Sequence, residues 1–410
     1  MKRRLLILAT AFGLMVSVAG CAARTDGNSD DPDATETYDY TEPEPTPEPT
    51  PVNLPPVEKL IRPESGTDWV ASLDGTKLYT ISYYHGLDGI SAPDYSSKAV
   101  IALNLATGKE TALEDVSGGW VDYAGPSAMV VTDDGKTLIA IGDNGSSGGE
   151  YTGQVIKADL TGATTKLPAE NSIPITGPDP RGLILSPDNK TAYVGVCGGG
   201  EMPLILVIDI DTMKQTGGYD LPQTGREKKP HRCSTGGLAI TDDGTTLYAA
   251  VSDYPTTWRD QPDTVGAIVA FDTSTGQITA TQKLDDVEDD LLLLNGSIYA
   301  INGLGLWRFS PDKFNFDTMN YDLIAAEFLG YENRLTTDNK WLYTIGSTNN
   351  SQIDFEEYEV LAIPLDAKRD DKPQVYATIQ FEGVFTGIFV AGKKLYVTST
   401  SEVVTITLKG

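Results

Sequence analysis

The chain is punctuated by a unit seen most clearly at Thr241–Val251, which reads Thr-Asp-Asp-Gly-Thr-Thr-Leu-Tyr-Ala-Ala-Val. A polar Asp-Gly turn leads into Leu-Tyr and a short apolar run. Comparable pairs return at Leu78-Tyr79, Leu138-Ile139, Ala192-Tyr193, Ile298-Tyr299, Leu342-Tyr343 and Leu395-Tyr396, spaced 44 to 60 residues apart. Around the fourth copy, strand-length apolar runs alternate with turn residues. The runs are Leu238–Ile240, Leu247–Val251, Ala267–Phe271 and Ile278–Leu284. Asp243-Gly244 separates the first two, and Asp272 to Gly276 separates the last two. β-branched and aromatic residues on either side of Asp-Gly and Thr-Gly predict antiparallel hairpins. The nearly continuous apolar character of the first three runs suits strands buried on both faces.

Seven such units, each of four strands, predict an all-β chain. The expected architecture is a seven-bladed β-propeller of four-stranded antiparallel blades over residues 57–410. Within a blade the strands are labelled A to D from the channel outward. The other C strands are expected at Val100–Leu103, Val155–Ala158, Ile205–Ile208, Leu306–Phe309, Val360–Ile363 and Val403–Leu408. The last unit stops at Gly410 without a D strand, while Glu58–Arg62 is strand-length and otherwise unassigned. That N-terminal strand is expected to pair as the outer strand of blade 7 and close the ring, leaving only short protected edges.

The first residues belong to a different pattern. Lys2-Arg3-Arg4 precedes an apolar run from Leu5 to Val18, then Ala19-Gly20-Cys21. The run is short of the ~20 residues that span a bilayer, and small residues before a cleavage point fit a signal peptide. Small-small-Cys resembles the bacterial lipobox, which implies removal of residues 1–20 and lipidation, palmitate included, at Cys21. Residues 21–56 are acidic and Pro-rich, with Glu-Pro-Thr-Pro-Glu-Pro-Thr-Pro from Glu44 to Pro51. Too little apolar surface is present to offset ordering entropy, so a disordered, extended stalk is expected. The expected location is the cell membrane, with the chain lipid-anchored and facing outside the cytoplasm.

Charge narrows the partners. The formal net charge is −27, which argues against nucleic acid, where Lys and Arg supply most of the affinity. Only His85 and His231 are present, and CxxC and HExxH are absent, so metal sites with those signatures are excluded. Cys197 and Cys233 fall at the loop ends of adjacent units. Outside the cytoplasm such a pair tends to oxidise, and the closed loop would add on the order of 3–4 kcal/mol in the chain-entropy description.

Ser186-Pro187-Asp188-Asn189-Lys190-Thr191-Ala192-Tyr193-Val194, followed by Val207-Ile208-Asp209, resembles the YVTN repeat of surface-layer and YncE-type seven-bladed propellers. Thr241–Tyr248 with Phe271-Asp272 through Gly276 does so too. The resemblance covers about residues 57–410 and implies the fold. That family spans binding proteins, lactonases and surface proteins of open function, so it carries over no catalytic residue. Ala102 to Lys109 is similar to the quinoprotein dehydrogenase repeat but lacks its closing Trp.

In a propeller the B–C and D–A connections share one face. The B–C connections here are long: Ser82–Ser97, Gly142–Gly153, Gly198–Pro203, Ser252–Gly266 and Gly346–Tyr358. Long loops on a rigid scaffold are where function concentrates. On that face lies the one dense basic cluster, Arg226, Lys228, Lys229, His231 and Arg232, suited to an anionic group. Aligning the blades places Asp68, Ser127, Arg181, Asp290, Glu332 and Thr386 around the channel mouth. Carboxylates there could hold Ca²⁺ through oxygen ligands, and no other cofactor is implied. The expected function is binding of a protein or other extracellular ligand through this face. The alternatives are a lactonase-like hydrolase with a channel-mouth metal, and a structural scaffold of the cell envelope.

Overall fold

The structure is a computed structural model that describes residues 57–61, 69–83, 98–116, 126–147, 150–162, 167–176, 180–196, 198–199, 204–220, 231–255, 265–284, 290–302, 305–315, 321–326, 334–346, 357–368, 373–380, 385–399 and 402–408. The expected leader (1–20), Cys21 and the expected stalk lie outside the described residues.

Seven antiparallel sheets form the blades. β1 (Val57–Ile61) belongs to the last of them. Blade 1 holds β2 (Val70–Ala71), β3 (Lys77–Tyr83), β4 (Lys98–Asn104) and β5 (Glu110–Asp115). Blade 2 holds β6 (Ala128–Val131), β7 (Thr137–Ser147), β8 (Glu150–Asp159) and β9 (Ser172–Thr176). Blade 3 has β10 (Pro180–Leu185), β11 (Thr191–Val196), then β13 (Ile205–Asp209) and β14 (Lys214–Tyr219), with β12 (Gly198–Gly199) between β11 and β13 in the chain. Blade 4 has β15 (His231–Ile240), β16 (Thr246–Pro255), β17 (Val265–Asp272) and β18 (Ile278–Leu284). Blade 5 has β19 (Asp290–Leu294), β20 (Ser297–Asn302), β21 (Gly305–Phe309) and β22 (Tyr321–Ala326). Blade 6 has β23 (Thr336–Thr337), β24 (Trp341–Gly346), β25 (Glu357–Pro364) and β26 (Gln374–Gln380). Blade 7 has β27 (Phe385–Ala391), β28 (Lys394–Ser399) and β29 (Val403–Thr407). β1 pairs with β29, Leu60 opposite Val404 and Ile61 opposite Val403.

The predicted pair sits in every B strand, as Leu-Tyr in four blades and as Leu138-Ile139, Ala192-Tyr193 and Ile298-Tyr299 in the others, and the structure shows why it recurs. Leu78, Leu138, Leu247, Leu342 and Leu395 are wholly buried between blades, each worth roughly 1.5–3 kcal/mol. The paired tyrosines are buried as well, and two of them send their hydroxyls to turns of the next blade. Tyr396 donates to the Gly75 carbonyl of blade 1 (3.0 Å) and Tyr299 to the Leu365 carbonyl of blade 6 (3.3 Å). Between blades 3 and 4, Tyr219 stacks on Phe271 with centroids 5.5 Å apart.

The A–B turns of blades 1 to 4 share one construction. Ser72, Thr132, Ser186 and Thr241 each donate a hydroxyl to the Asp two residues on, at 2.7, 2.7, 2.6 and 2.6 Å. Those aspartates also accept the backbone N–H of Thr76, Lys136, Lys190 and Thr245. Left-handed backbone follows at Gly75, Gly135, Asn189 and Gly244. Blades 5 and 7 instead turn in two residues, Asn295-Gly296 and Gly392-Lys393.

Three expectations are corrected. The segment Gly142–Gly153, read as a loop, is a hairpin in which β7 runs to Ser147 and β8 starts at Glu150. The inner strand of blade 4 begins at His231, not Leu238, and its partner β16 extends to Pro255. Gly198-Gly199, read as part of a blade 3 loop, pairs with β15 and makes the sheet of blade 4 five-stranded.

Candidate functional site

The inner strands pack side by side around the ring axis, with β6, β10, β15 and β19 in sequence. Their register fixes which residues stand level at the loop-face end. Asp290 opposes Ile301, and the matching pairs are Ala128 with Ile141, Gly182 with Gly195, and Gly387 with Thr398. Arg181 and Thr386, expected in this row, are instead the extra residues of β-bulges just before Gly182 and Gly387. Blade 4 has a bulge at the same place, between Thr235 and Leu238. Bulges bend an inner strand and re-aim the residue they insert. Ser127 lies one residue before the row and donates its N–H to the Ile141 carbonyl (2.8 Å). Asp68 and Glu332 lie outside the described residues.

Glycine in this row has a packing reason at Gly237. A Cβ there would come within 2.2 Å of the Leu291 nitrogen and 2.6 Å of the Asp290 carbonyl carbon. Blades 4 and 5 therefore meet backbone to backbone at the mouth. Sequence reading missed this feature. The available signal was a Gly immediately before an apolar inner-strand residue in blades 3, 4 and 7: Gly182-Leu183, Gly237-Leu238 and Gly387-Ile388.

Asp290 is half-buried, and both its oxygens accept backbone N–H groups. Oδ1 takes that of Leu291 (2.9 Å) and Oδ2 that of Leu335 in the next blade (2.9 Å). The carboxylate thus ties blade 5 to blade 6 at the mouth. Continuing the Thr336–Tyr343 register places Arg334 in the same row on blade 6, where it is half-exposed. Among the described residues no group of three or more His, Cys, Asp or Glu side chains gathers in metal-holding geometry.

The basic cluster is placed in part. His231 and Arg232 open β15, opposite Pro255 and Tyr254, and Cys233 stands opposite Asp253. On the other edge of β15, Gly199 pairs with Arg232 and Gly198 with Cys233. Three strands therefore extend blade 4 on the loop face. β12 lies on the inner edge of β15, which in a propeller faces the channel. Arg226, Lys228, Lys229 and Cys197 lie outside the described residues.

No protein-family model matches the chain, and no curated protein matches it. Solved structures do. The β-propeller domain of Cps50 (Swd1) from Myceliophteria thermophila is 12% identical, with a TM-score of 0.57 over 86% of this chain and 99% of that one. Hydrazine synthase of Kuenenia stuttgartiensis is 18% identical, with a TM-score of 0.50 over 87% and 97%. The RRP9 WD40 repeats are 10% identical, with a TM-score of 0.53 over 86% and 99%. The likeness is one of fold.

Proposed function

We propose that this chain is an exported lipoprotein, YncE-like in its repeats, that binds a protein or other extracellular ligand through its B–C/D–A face. Cys21 carries the lipid, residues 22–56 lift the body from the membrane, and β1 closes the ring as the outer strand of blade 7. The observation that supports a binding face is the distribution of departures from the repeat. The β7–β8 hairpin and the β12–β15–β16 extension both rise on the loop face. The opposite face carries the same Asp-centred turn in four blades. Variation on a fixed scaffold marks the surface that meets a partner.

Photo-crosslinking on intact cells tests the proposal. A photoreactive residue is placed at Ser147 or Pro255 on the loop face and at Asp134 or Asp243 on the turn face. Discrete adducts from the loop-face positions alone are expected. Adducts from the turn face alone, or none from either face, would sink the reading. Replacing Cys21 with Ser should abolish incorporation of a palmitate analogue. Removing 57–61 should lower the unfolding midpoint, and an unchanged midpoint would refute ring closure by β1.

A further inference from the structure

The seam between blades 7 and 1 carries hydroxyls where its neighbours are aliphatic. In it Trp69, Leu78 and Leu103 of blade 1 pack against Ala391, Tyr396 and Val403 of blade 7. Thr80 lies two residues beyond Leu78 on β3, so its side chain enters the same seam. Continuing the Val70–Tyr79 register places Trp69 opposite Thr80. On blade 7, Thr398 lies two residues beyond Tyr396, and Thr405 stands opposite Tyr396. The position of Thr80 is filled by Ala140, Val194, Ala249, Ala300 and Val397 in the other blades, with Thr344 the exception. That of Thr398 is filled by Ile81, Ile141, Ile301 and Ile345 in four of them. Threonine has the shape of valine, so its hydroxyl adds nothing to packing, and burying that hydroxyl is costly unless it is hydrogen-bonded.

Three buried polar atoms of this seam have no hydrogen-bond partner among the described residues: Trp69 Nε1, Thr80 Oγ1 and Thr405 Oγ1. Trp69 is 7% exposed, Thr80 0% and Thr405 3%. The Thr398 hydroxyl is engaged from the mouth side, 3.0 Å from the Thr386 hydroxyl and 3.3 Å from the Gly387 carbonyl, to which it donates. Thr386 is half-buried in the mouth row, so polar groups run from the mouth into the seam. There is also room. Among the described residues, a Cβ added to Gly387 would meet only Thr398 Oγ1 within 4 Å, at 3.1 Å, and nothing of blade 1. At Gly237 a Cβ would run into the backbone of the next blade at 2.2 Å. Blades 7 and 1 therefore keep a space at the level where blades 4 and 5 touch.

We propose that blades 7 and 1 hold a bound water molecule between Trp69 and Thr80 on one side and Thr398 and Gly387 on the other, reached from the channel mouth past Thr386. An indole N–H can only donate, so the bound molecule must accept from Trp69, while the Thr80 hydroxyl can donate or accept. A buried water makes about three hydrogen bonds. Trp69, Thr80 and Thr398 supply three partners. All of these groups are neutral, which suits water and not an ion. The water belongs to the scaffold and is independent of any ligand on the loop face.

Oxygen-17 relaxation dispersion of the solvent counts the waters that stay in the full chain long enough to tumble with it. T80V removes the hydroxyl at constant shape and should lose a long-lived water relative to the parent. Its unfolding midpoint should fall, because the Trp69 N–H is left unpaired. G387A puts a methyl group into the water's space and should lose the same molecule, and it decides the matter where T80V does not fold. T344V is the comparison. Thr344 Oγ1 is also buried without a partner among the described residues, two residues beyond Leu342, which packs against blade 5. T344V should keep every long-lived water, and its midpoint should hold or rise, since an unpaired hydroxyl has been removed. An unchanged count in T80V, or in G387A in its stead, overturns the site. A raised T80V midpoint would do so too, by marking Thr80 as a dry, orphaned hydroxyl. Equal losses from T80V and T344V would overturn the assignment to this seam.

Discussion

The two faces of this propeller solve different problems. On the turn face, the same side-chain arrangement closes four blades. Each Asp accepts a hydroxyl and a backbone N–H, and neighbouring turns touch: Asn189 donates to Asp133 (2.8 Å) and accepts its backbone N–H (3.2 Å). On the loop face the blades diverge, with a lengthened hairpin in blade 2, a borrowed strand in blade 4, and bulges in blades 3, 4 and 7. Repetition is therefore a signature of turn geometry, and the chemistry peculiar to this chain is found where repetition stops.

Two glycines give the sharpest test of that difference. Gly237 at the mouth faces backbone atoms that cannot rotate away. Gly244 in the turn has left-handed backbone (φ 71°) and meets only the Pro187 ring, at 3.2 Å. G237A is expected to cost about 3 kcal/mol or more, because blades 4 and 5 must separate. G244A should cost about 1–2 kcal/mol, mainly for the left-handed conformation. Urea denaturation of both variants measures the gap. Equal losses would mean that the mouth yields as readily as the turn.

The carboxylate at the mouth comes next. D290A removes the acceptor for the Leu335 N–H and should cost roughly 1.5–3 kcal/mol, the range for hydrogen bonds to a charged group. The Leu335 amide should lose protection in hydrogen exchange. Unchanged stability together with loss of bound Ca²⁺ would instead assign Asp290 to a metal.

These effects bear on what could be read from the sequence. The seven blades were legible because an apolar pair fills a seam in every blade, and in blades 5, 6 and 7 its tyrosine also reaches a turn. The pairing of β1 with β29 was legible from a missing outer strand. β12 was not, since Gly198-Gly199 carries no hydrophobic pattern and its partner lies in another blade. The hairpin tip from Asp143 to Glu150 is polar and glycine-rich, so nothing in its pattern separated strand from loop. Asp290 was found by alignment, but its role depends on the backbone N–H groups of Leu291 and Leu335, which no residue type announces.

A smaller effect separates carboxylates inside the seams from those on the turn face. Glu114 is buried between blades 1 and 2, with Oε2 accepting the Asp159 N–H (2.8 Å) and Oε1 without a partner among the described residues. Burial raises its pKa, the Asp159 N–H opposes that rise, and the Asp159 charge adds to it. A raised carboxyl favours folding in its protonated form. The stability it contributes is complete below the unfolded pKa of about 4.3 and is lost as pH climbs through the folded value. E114Q stays neutral throughout. It should match the parent below pH about 4 and exceed it increasingly above. Thermal unfolding across that range measures the divergence, and parallel curves would place Glu114 in water.

Asp243 is the opposite case and carries the smallest expected effect. Its carboxylate is exposed and held down to about 2, first by the Thr241 hydroxyl, then by the Thr245 N–H and hydroxyl. A lowered pKa stabilises the fold above the unfolded value, and that contribution is lost only as pH falls toward 2. D243N keeps an acceptor oxygen for the Thr245 N–H while removing the charge. At neutral pH it should barely move the unfolding midpoint, because solvent screens an exposed group. Its acid-unfolding profile should flatten at the low end. The same substitution should leave loop-face crosslinking unchanged, since Asp243 closes a turn on the far side of the ring. A D243N chain that folds normally but loses its crosslinked partner would move the binding surface to the repeated face, and with it the inference that function begins where the repeat ends.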